Sequence, residues 1–241
     1  AAERGIDPVV VTFDRHPLSV IKPDACPDPV VSNAQKVELL AGSPVAAAIV
    51  LRFDREFAAT PAETFVRDVL VGRLGARLVL AGADFRFGAR GAGDVDLLRR
   101  LGGELGFDVV LLDDVAAEDG RISSTMIRDL LADGRIRMAT AALGRYHRIR
   151  STVVHGDAIG RELGFPTANL DADIEGYLPV DGVYAAFAIV DGERYPAAVS
   201  IGNNPTFDGV PDRQVEAHLL DQRLDLYGKT IELDFVEYLR P

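Results

Sequence analysis

The 241-residue sequence contains no tryptophan, one cysteine and four histidines. A single cysteine excludes an internal disulfide and a zinc site built from cysteines. That residue, Cys26, lies between prolines at 23 and 27 and is interpreted as an incidental loop residue. No pair of histidines has the His-x-x-x-His spacing of a helical metal site, so the sequence predicts no zinc.

The sequence also lacks long apolar runs and an excess of positive charge. No uninterrupted apolar stretch approaches the length of a membrane span and no signal-peptide pattern opens the chain, which predicts a cytoplasmic protein with no membrane partner. Lysine and arginine number 26 against 37 acidic residues, and the resulting net charge of −11 argues against a nucleic-acid partner. With 48% hydrophobic residues, the chain is expected to fold into one large or two ordinary globular domains.

The first half of the sequence alternates between apolar β-branched runs and amphipathic stretches. Runs at 9–13, 46–51, 78–81 and 109–112 lack polar alternation, which predicts strands buried on both faces of a parallel sheet. Helices are expected at 33–40, 93–105 and 60–74, the last capped by Thr60 with Pro61 as its first residue. This pattern predicts a doubly wound α/β domain, whose ligands bind beyond the carboxyl ends of the strands, near residues 14–16 and 84–87.

The pattern changes near residue 145. Gly144 is a natural end for a helical stretch at 139–143, and alternation typical of strands begins at 146–154. Strands predicted at 184–190 and 193–200 flank Asp191-Gly192, a strong hairpin signal. The sequence therefore predicts an α/β domain at 1–144 and a small antiparallel β-barrel at 145–241.

The run from 155 to 169 is both glycine-rich and polar. Gly156, Gly160 and Gly164 allow its backbone to turn tightly and approach a phosphate chain, whereas Pro166 fixes its own φ and favours an extended Phe165. Thr167 and Asn169 lie two residues apart, so in an extended segment their oxygens face one side and suit Mg²⁺ bound to phosphates. A turn that binds no ligand is the alternative.

Three hydroxyl side chains precede an apolar stretch at 126–131: Ser123, Ser124 and Thr125. A helix that starts there would gather hydroxyls and free backbone N–H groups where a phosphate could bind, and Arg128 could point back from one turn later. An ordinary Ser/Thr-capped helix is the alternative. Arg121, Arg128 and Arg161 are the candidates for the local positive charge that a nucleotide needs on an acidic protein.

The second half contains five separately spaced motifs. In order they are Gly-Phe-Pro-Thr-Ala-Asn at 164–169, Gly-Val-Tyr-Ala at 182–185, Ser-Ile-Gly-Asn-Asn-Pro-Thr-Phe at 200–207, Val-Glu-Ala-His-Leu-Leu-Asp at 215–221 and Asp-Leu-Tyr-Gly at 225–228. Residues 146–241 closely resemble the riboflavin kinase module. Segments at 12–17, 83–88 and 121–128 resemble the adenylyltransferase half of bacterial bifunctional riboflavin kinase/FAD synthetases, so the whole chain is similar to that family.

The resemblance implies that the chain phosphorylates riboflavin to FMN and then adenylylates FMN to FAD, using ATP in both steps and Mg²⁺ as cofactor. ADP is then a product of the first step. For the kinase, the resemblance implies that Glu216 accepts the proton of the ribityl 5′-hydroxyl, that Arg161 is a second catalytic residue, and that Thr167 and Asn169 hold the metal. By periodicity alone, a solvated strand face or a salt bridge is the alternative for Glu216.

For the adenylyltransferase, the resemblance implies two groups of binding residues. The nucleotide is bound by Arg121, Arg128 and the hydroxyl residues at 123–125, and the flavin by Asp84 and Phe85. His16 is either a phosphate ligand or a loop residue bonded to nearby backbone. His218 lies two residues after Glu216 and either orients it, touches the flavin or fills space, and His155 has no assigned role.

Two features depart from the family. Its first strand carries a His-x-Gly-His motif with no counterpart here, and the sequence ends at Arg240-Pro241, where the family continues into a helix. Because histidines of that motif are expected to stabilise the α-phosphate, adenylyl transfer is expected to be slow or absent. The alternatives are a riboflavin kinase whose first domain only binds nucleotide or flavin, and a non-catalytic flavin-binding protein. Whether the chain forms a homo-oligomer stays open.

Overall fold

The computed structural model describes residues 4–113, 115–117, 120–155, 167–202, 213–222 and 224–241. Contacts between Cα atoms divide the chain into two compact units. The first unit comprises Ala1–Pro27 and Lys36–Ala116, and the second comprises Asp28–Gln35 and Ala117–Pro241.

The first unit alternates parallel strands with helices. Strand β1 (Val9–Phe13) pairs in parallel with β2 (Ala47–Leu51), and β3 (Leu78–Gly82) pairs in parallel with β4 (Asp108–Leu112). The helices are α1 (Leu18–Ile21), α2 (Asn33–Ala41), α3 (Arg55–Ala58), α4 (Ala62–Thr64), which continues as a π-helical segment (Phe65–Arg73), and α5 (Val95–Leu105). Short 3₁₀ turns occur at Pro23–Ala25 and Ala89–Gly91. Parallel strands connected through helices confirm the predicted α/β domain. The expected burial of these strands on both faces is wrong, because Val50, Leu80 and Leu112 are exposed.

Two predicted helix starts are wrong by one or two residues. The first begins at Ala62, because Pro61 has the extended ψ of 147° and acts as the cap in place of Thr60. The carbonyl of Thr60 accepts a hydrogen bond from the N–H of Ala89 instead, at 2.7 Å. The second, α5, begins at Val95 rather than at 93, because the Asp94 carboxylate accepts the N–H of Leu97 at 2.9 Å and caps the helix there.

The second unit contains a closed barrel whose six strands are all antiparallel to their neighbours. Its strands are β7 (His147–Val154), β8 (Ala168–Leu170), β9 (Gly182–Val190), β10 (Glu193–Gly202), β11 (Gln214–Leu219) and β12 (Thr230–Arg240). Around the barrel they follow the order β10, β11, β8, β7, β12, β9. Alternate residues of β9 and β11 are buried, as an interior filled by side chains requires. The predicted antiparallel barrel is confirmed.

The hairpin between β9 and β10 has the predicted turn. Val190 pairs with Glu193, so Asp191 and Gly192 form a two-residue loop. Their φ angles are +51° and +87°, the left-handed conformation that a type I′ turn requires at both positions.

Two helices pack against the barrel from the segment before it. A short two-stranded sheet, β5 (Ala116–Ala117) with β6 (Gly120–Arg121), precedes α6 (Ser124–Ala132) and α7 (Ile136–Leu143). Leu131, Ile136 and Ala139 are fully or almost fully buried in the same core as Ile149 and Phe235 of the barrel. Gly144 ends α7 with a φ of +67°, as predicted.

Residues 28–35 also belong to the second unit. Ser32 and Gln35 form a capping box at the start of α2: the Gln35 N–H donates to Ser32 Oγ at 3.0 Å, and the Ser32 N–H donates to Gln35 Oε1 at 2.9 Å. Gln35 is 4% exposed, and its Nε2 donates to the carbonyl of Arg148 at 3.2 Å. The compact units therefore differ from the predicted division at 144/145 over residues 28–35 and 117–144. The predicted division follows the change from helices to strands, whereas the compact units follow packing.

No helix among the described residues has the length and hydropathy that a membrane span requires.

Candidate active sites

Glu216 lies on the outer surface of the barrel, at the middle of β11. Its neighbours Val215 and Ala217 are 1% and 0% exposed and point into the core, so the Glu216 carboxylate points the opposite way, as predicted. The partner of Glu216 on β8 is Asn169, and its partner on β10 is Ser200. Directly opposed residues on one face of a sheet have Cβ atoms roughly 4.5–5.5 Å apart.

Thr167 and Asn169 share the face that carries Glu216. Between and after them, Ala168 and Leu170 are buried at 6% and 7% exposure, whereas Thr167 and Asn169 are partly exposed. The backbone around Asn169 is fixed on both sides, because β8 pairs with β11 and also with β7. A hydroxyl, an amide oxygen and a carboxylate therefore meet on one patch of the barrel surface.

The remaining predicted kinase residues lie outside the described residues. They are Gly156, Gly160, Arg161, Gly164, Phe165 and Pro166. His218 is described: it is partly buried on the face of Glu216 and pairs across the strands with Ala198.

In the first unit, polar residues follow β1. Asp14 Oδ1 accepts the N–H of Phe53 at 2.8 Å, and Asp14 Oδ2 pairs with Arg15 Nη2 at 2.8 Å. The hydrogen bond from Arg15, with that from Phe53, holds the pKa of Asp14 below its usual range. His16 Nδ1 accepts the N–H of Leu18 at 3.1 Å, so the imidazole makes the local backbone bond that was one of its two predicted roles.

The predicted flavin-binding residues lie beyond the end of β3. Asp84 is exposed, and Phe85 is half-buried with its ring stacked on Phe87 at 5.4 Å between centroids. A continuous string of rings with centroids 4.9–6.1 Å apart joins this loop to the end of β1. The string is Phe13, Phe53, Phe57, Phe65, Phe87 and Phe85. It fixes the carboxyl ends of β1 and β3 relative to each other. Parallel sheets bind their ligands beyond these ends.

The loop after β3 depends on a glycine. Gly88 has a φ of +72°, and a Cβ built there would lie 2.4 Å from Ala62 Cα. Only glycine combines that backbone conformation with such close contact. Gly88 therefore holds the 84–87 segment against the start of α4.

Ser123 is the N-cap of α6. Its Oγ accepts the N–H of Met126 at 3.2 Å, which is the capped-helix arrangement that the sequence offered as the alternative to phosphate binding. Ser124 and Thr125 are exposed in the first turn. Arg128 does point back, since its Nη2 donates to Thr125 Oγ1 at 3.1 Å. Arg121, at the end of β6, is exposed. These residues belong to the second unit, whereas Asp84 and Phe85 belong to the first.

An ion-pair ladder on the outside of the barrel was not predicted. Arg148 Nε and Nη2 donate to the two carboxylate oxygens of Asp234 at 2.6 and 2.9 Å, and Arg150 Nη2 donates to Glu175 Oε2 at 2.9 Å. Hydrogen bonds from Arg150 and then Ser32 lower the pKa of Glu175. The alternation of Arg148 and Arg150 along β7, opposite the acidic positions 232 and 234 of β12, was the available signal.

Comparisons with known proteins identify the family of the chain. A family model described as FAD synthetase matches residues 1–126, and one described as riboflavin kinase matches residues 143–241. The bifunctional riboflavin kinase/FMN adenylyltransferase of Escherichia coli (strain K12) is 39% identical over 232 residues, which cover 96% of this chain and 74% of that protein. The protein of the same description from Pseudomonas fluorescens is 34% identical over 240 residues, covering 100% and 76%.

The chain belongs to the bifunctional riboflavin kinase/FMN adenylyltransferase family. A solved structure described as a macrolide-efflux protein from Streptococcus pneumoniae is similar to this chain, with a TM-score of 0.87 and 30% sequence identity. The match covers 100% of this chain and 78% of that one. Macrolide efflux describes that protein, and the likeness supports the two-part architecture of the family: a nucleotidyltransferase-like α/β domain followed by a kinase barrel.

Proposed function

We propose that this chain makes FMN from riboflavin on the barrel and FAD from FMN in the α/β domain, with ATP consumed in both steps. The observation that carries the kinase assignment is the cross-strand pairing of Glu216 with Asn169 on the outer face of the barrel. Strand pairing for stability alone does not require a carboxylate opposite an amide on this face, whereas phosphoryl transfer needs a base next to a metal–phosphate site.

In the proposed kinase step, Glu216 accepts the proton of the ribityl 5′-hydroxyl while that oxygen attacks the γ-phosphorus of ATP. The bond from the γ-phosphorus to the bridging oxygen breaks, and ADP leaves with the electron pair. Glu216 stands on a regular strand flanked by two buried neighbours, so its carboxylate is presented in a fixed direction. Arg161 is the proposed source of positive charge for the phosphates.

Thr167 and Asn169 fit a magnesium site of the kind that phosphoryl transfer uses. Mg²⁺ takes hard oxygen ligands and commonly binds one or two protein groups, with phosphates and water completing the octahedron. The Thr167 hydroxyl and the Asn169 amide oxygen are such ligands and lie on one face of the chain. Bound there, the ion would neutralise phosphate charge beside Glu216.

In the proposed adenylyl transfer, an FMN phosphate oxygen attacks the α-phosphorus of ATP and pyrophosphate leaves. We assign the nucleotide to Ser123, Ser124, Thr125, Arg121 and Arg128, and the flavin to Asp84 and Phe85. The match of the FAD synthetase model to 1–126 supports a working first domain, so the alternative of a kinase with an inert N-terminal domain is not favoured. We propose residues 1–144 and 145–241 as the two catalytic domains and, because ATP is the co-substrate, the cytoplasm as the site of action.

The test follows FMN and FAD separately by chromatography after incubation of the protein with riboflavin, ATP and Mg²⁺. Glu216→Gln is expected to lower the rate of FMN formation about 10²-fold or more, because the general base is lost without a change of shape. Glu193→Gln is the matched control, since Glu193 is an exposed carboxylate at the start of β10. Equal rates for Glu216→Gln and the control would contradict the assignment of the base.

Removal of a metal ligand tests the other half of the site. Thr167→Ala and Asn169→Ala are expected to reduce FMN formation at least as strongly as the loss of the base, and to raise the Mg²⁺ concentration needed for half-maximal rate. Thr152→Ala is the control, because Thr152 is an exposed threonine on neighbouring β7. Normal rates at low Mg²⁺ in both variants would exclude Thr167 and Asn169 as ligands.

A further inference from the structure

A row of four side chains crosses the outer face of the barrel from β8 to β9. Glu216 on β11 is the register partner of Asn169 on β8 and of Ser200 on β10. Ser200 in turn is the register partner of Val183 on β9. Neighbouring strands lie about 4.8 Å apart, so along the sheet Ser200 lies about 5 Å and Val183 about 10 Å from Glu216, on the side away from Asn169.

The Ser200 side chain points out of the barrel. Its neighbours Val199 and Ile201 are 0% and 2% exposed and point into the core, whereas Ser200 is exposed. Since side chains alternate along a strand, the Ser200 hydroxyl shares the outer face with the Glu216 carboxylate. Glu216 therefore has an amide on one side and a hydroxyl on the other.

The outer face becomes apolar beyond Ser200. On β11 the outward side chains beside this row are Glu216 and His218, whereas on β9 they are the partly exposed Val183 and Ala185. Ser200 lies on β10, between these two strands. From Glu216 towards β9, the surface thus offers first a hydroxyl and then aliphatic side chains.

The chemistry of phosphoryl transfer assigns each substrate to one side of Glu216. The attacking and leaving oxygens lie roughly in line at the transferred phosphorus, so the alcohol and the nucleotide extend from it in opposite directions. The proposed kinase step assigns the metal and the phosphates to the side of Asn169. The alcohol that gives its proton to Glu216 then extends over β10 and β9.

We propose that Ser200 and Val183 form the acceptor subsite of the kinase, in which the Ser200 hydroxyl binds the ribityl chain and Val183 packs against the flavin ring. This inference rests on the proposed kinase function. A serine hydroxyl both donates and accepts hydrogen bonds, as a polyol chain requires of its partner. The order of hydroxyl and aliphatic side chain, counted from Glu216, matches the order of polyol chain and ring in riboflavin, counted from the 5′-hydroxyl.

The test measures steady-state phosphorylation of riboflavin by variants of the two subsite residues. Ser200→Ala is expected to raise the KM for riboflavin about threefold to tenfold, the effect of one neutral hydrogen bond, while the KM for ATP stays within about twofold. Ser200→Thr keeps a hydroxyl and is expected to keep the KM for riboflavin within about twofold of wild type. Val183→Thr keeps the shape of the side chain but adds a hydroxyl, and is expected to raise this KM about threefold.

Thr230→Ala is the matched control, because it removes an exposed hydroxyl from the outside of the barrel at the start of β12. It is expected to keep the KM for both substrates. Equal KM values for riboflavin in Ser200→Ala and Thr230→Ala would overturn the proposal. A rise in the KM for ATP as large as that for riboflavin in Ser200→Ala would also overturn it, because Ser200 would then lie on the nucleotide side.

Riboflavin binding, followed by flavin fluorescence with ADP and Mg²⁺ present, gives a second readout that needs no turnover. Weaker binding by Ser200→Ala than by wild type would support the subsite even if Glu216→Gln formed FMN at a normal rate, and that rate would count against the base alone. Binding of wild-type affinity in Ser200→Ala would overturn the subsite and leave the assignment of Glu216 intact.

Discussion

At the scale of single residues, His147 shows how burial controls a proton. The imidazole is fully buried at the start of β7, and its Nε2 donates to the carbonyl of Tyr177 at 2.6 Å. Its Nδ1 has no hydrogen-bond partner in the part of the chain that the structure describes. Desolvation outweighs the bond to Tyr177 and lowers the pKa of His147 from 6.5 to about 4, so the ring is neutral at physiological pH.

This histidine makes the free energy of unfolding depend on pH. Its pKa is lower in the folded than in the unfolded protein, so the unfolded chain binds the proton more readily between pH 6.5 and 4. The stabilisation is complete above pH 6.5 and is lost as the pH falls towards 4, by about 1.4 kcal/mol per pH unit and about 3 kcal/mol in total. Denaturant unfolding of wild type and His147→Gln at several pH values checks this, because the glutamine can donate to Tyr177 but does not titrate. Parallel pH profiles for the two proteins would show that His147 has no such effect.

A second prediction at this scale concerns the stability effect of replacing Gly88. Alanine there would strain the left-handed backbone and force its methyl group against the backbone of Ala62. Gly88→Ala is expected to reduce the free energy of unfolding of the first unit by about 2 kcal/mol or more. Gly75→Ala is a matched control, since Gly75 has a similar φ of +60° but nothing within 4 Å of a built Cβ. If the two variants are equally stable, the contact with Ala62 does not constrain the loop.

At the scale of elements, the start of α6 combines a structural and a proposed chemical role. Ser123→Ala removes the capping oxygen and is expected to cost about 1 kcal/mol of stability. Ser123→Asp keeps a capping acceptor but adds negative charge where phosphate is proposed to bind, so it is expected to fold normally and to weaken the use of ATP in FAD formation. Thermal unfolding and the KM for ATP in FAD formation separate the two effects. If Ser123→Asp is normal in both thermal unfolding and the KM for ATP, Ser123 acts only as a helix cap.

The elements that the sequence predicted well are those set by local chemistry. The strands of the barrel follow from alternation, the turn at Asp191-Gly192 from its two left-handed residues, and the outward direction of Glu216 from its apolar neighbours. Helix starts were less predictable, because the choice between Thr60 and Pro61 depended on a hydrogen bond to distant Ala89. The stack of His155 on Tyr227 joins residues 72 positions apart and has no periodic signal.

At the scale of the whole molecule, packing and sequence pattern divide the chain differently. Helices α6 and α7 share the core of the barrel, although their pattern continues that of the α/β half. Native-state hydrogen exchange tests this, because residues that unfold together lose protection together. Amides of α6 and α7 are expected to open with those of β7 and β12. Joint opening of α6 and α7 with β1 to β4 would instead assign these helices to the first unit.

The bond between Gln35 and the carbonyl of Arg148 has a consequence for synthesis. Its two ends are 113 residues apart in the chain. At about 5–20 residues per second, a ribosome needs roughly 6–23 s to reach Arg148 after it has made Gln35. During that interval the first turn of α2 can form the capping box with Ser32 but not the bond to Arg148. The start of α2 is thus synthesised before its partner in the barrel, and its bond to Arg148 forms only after β7 has been made.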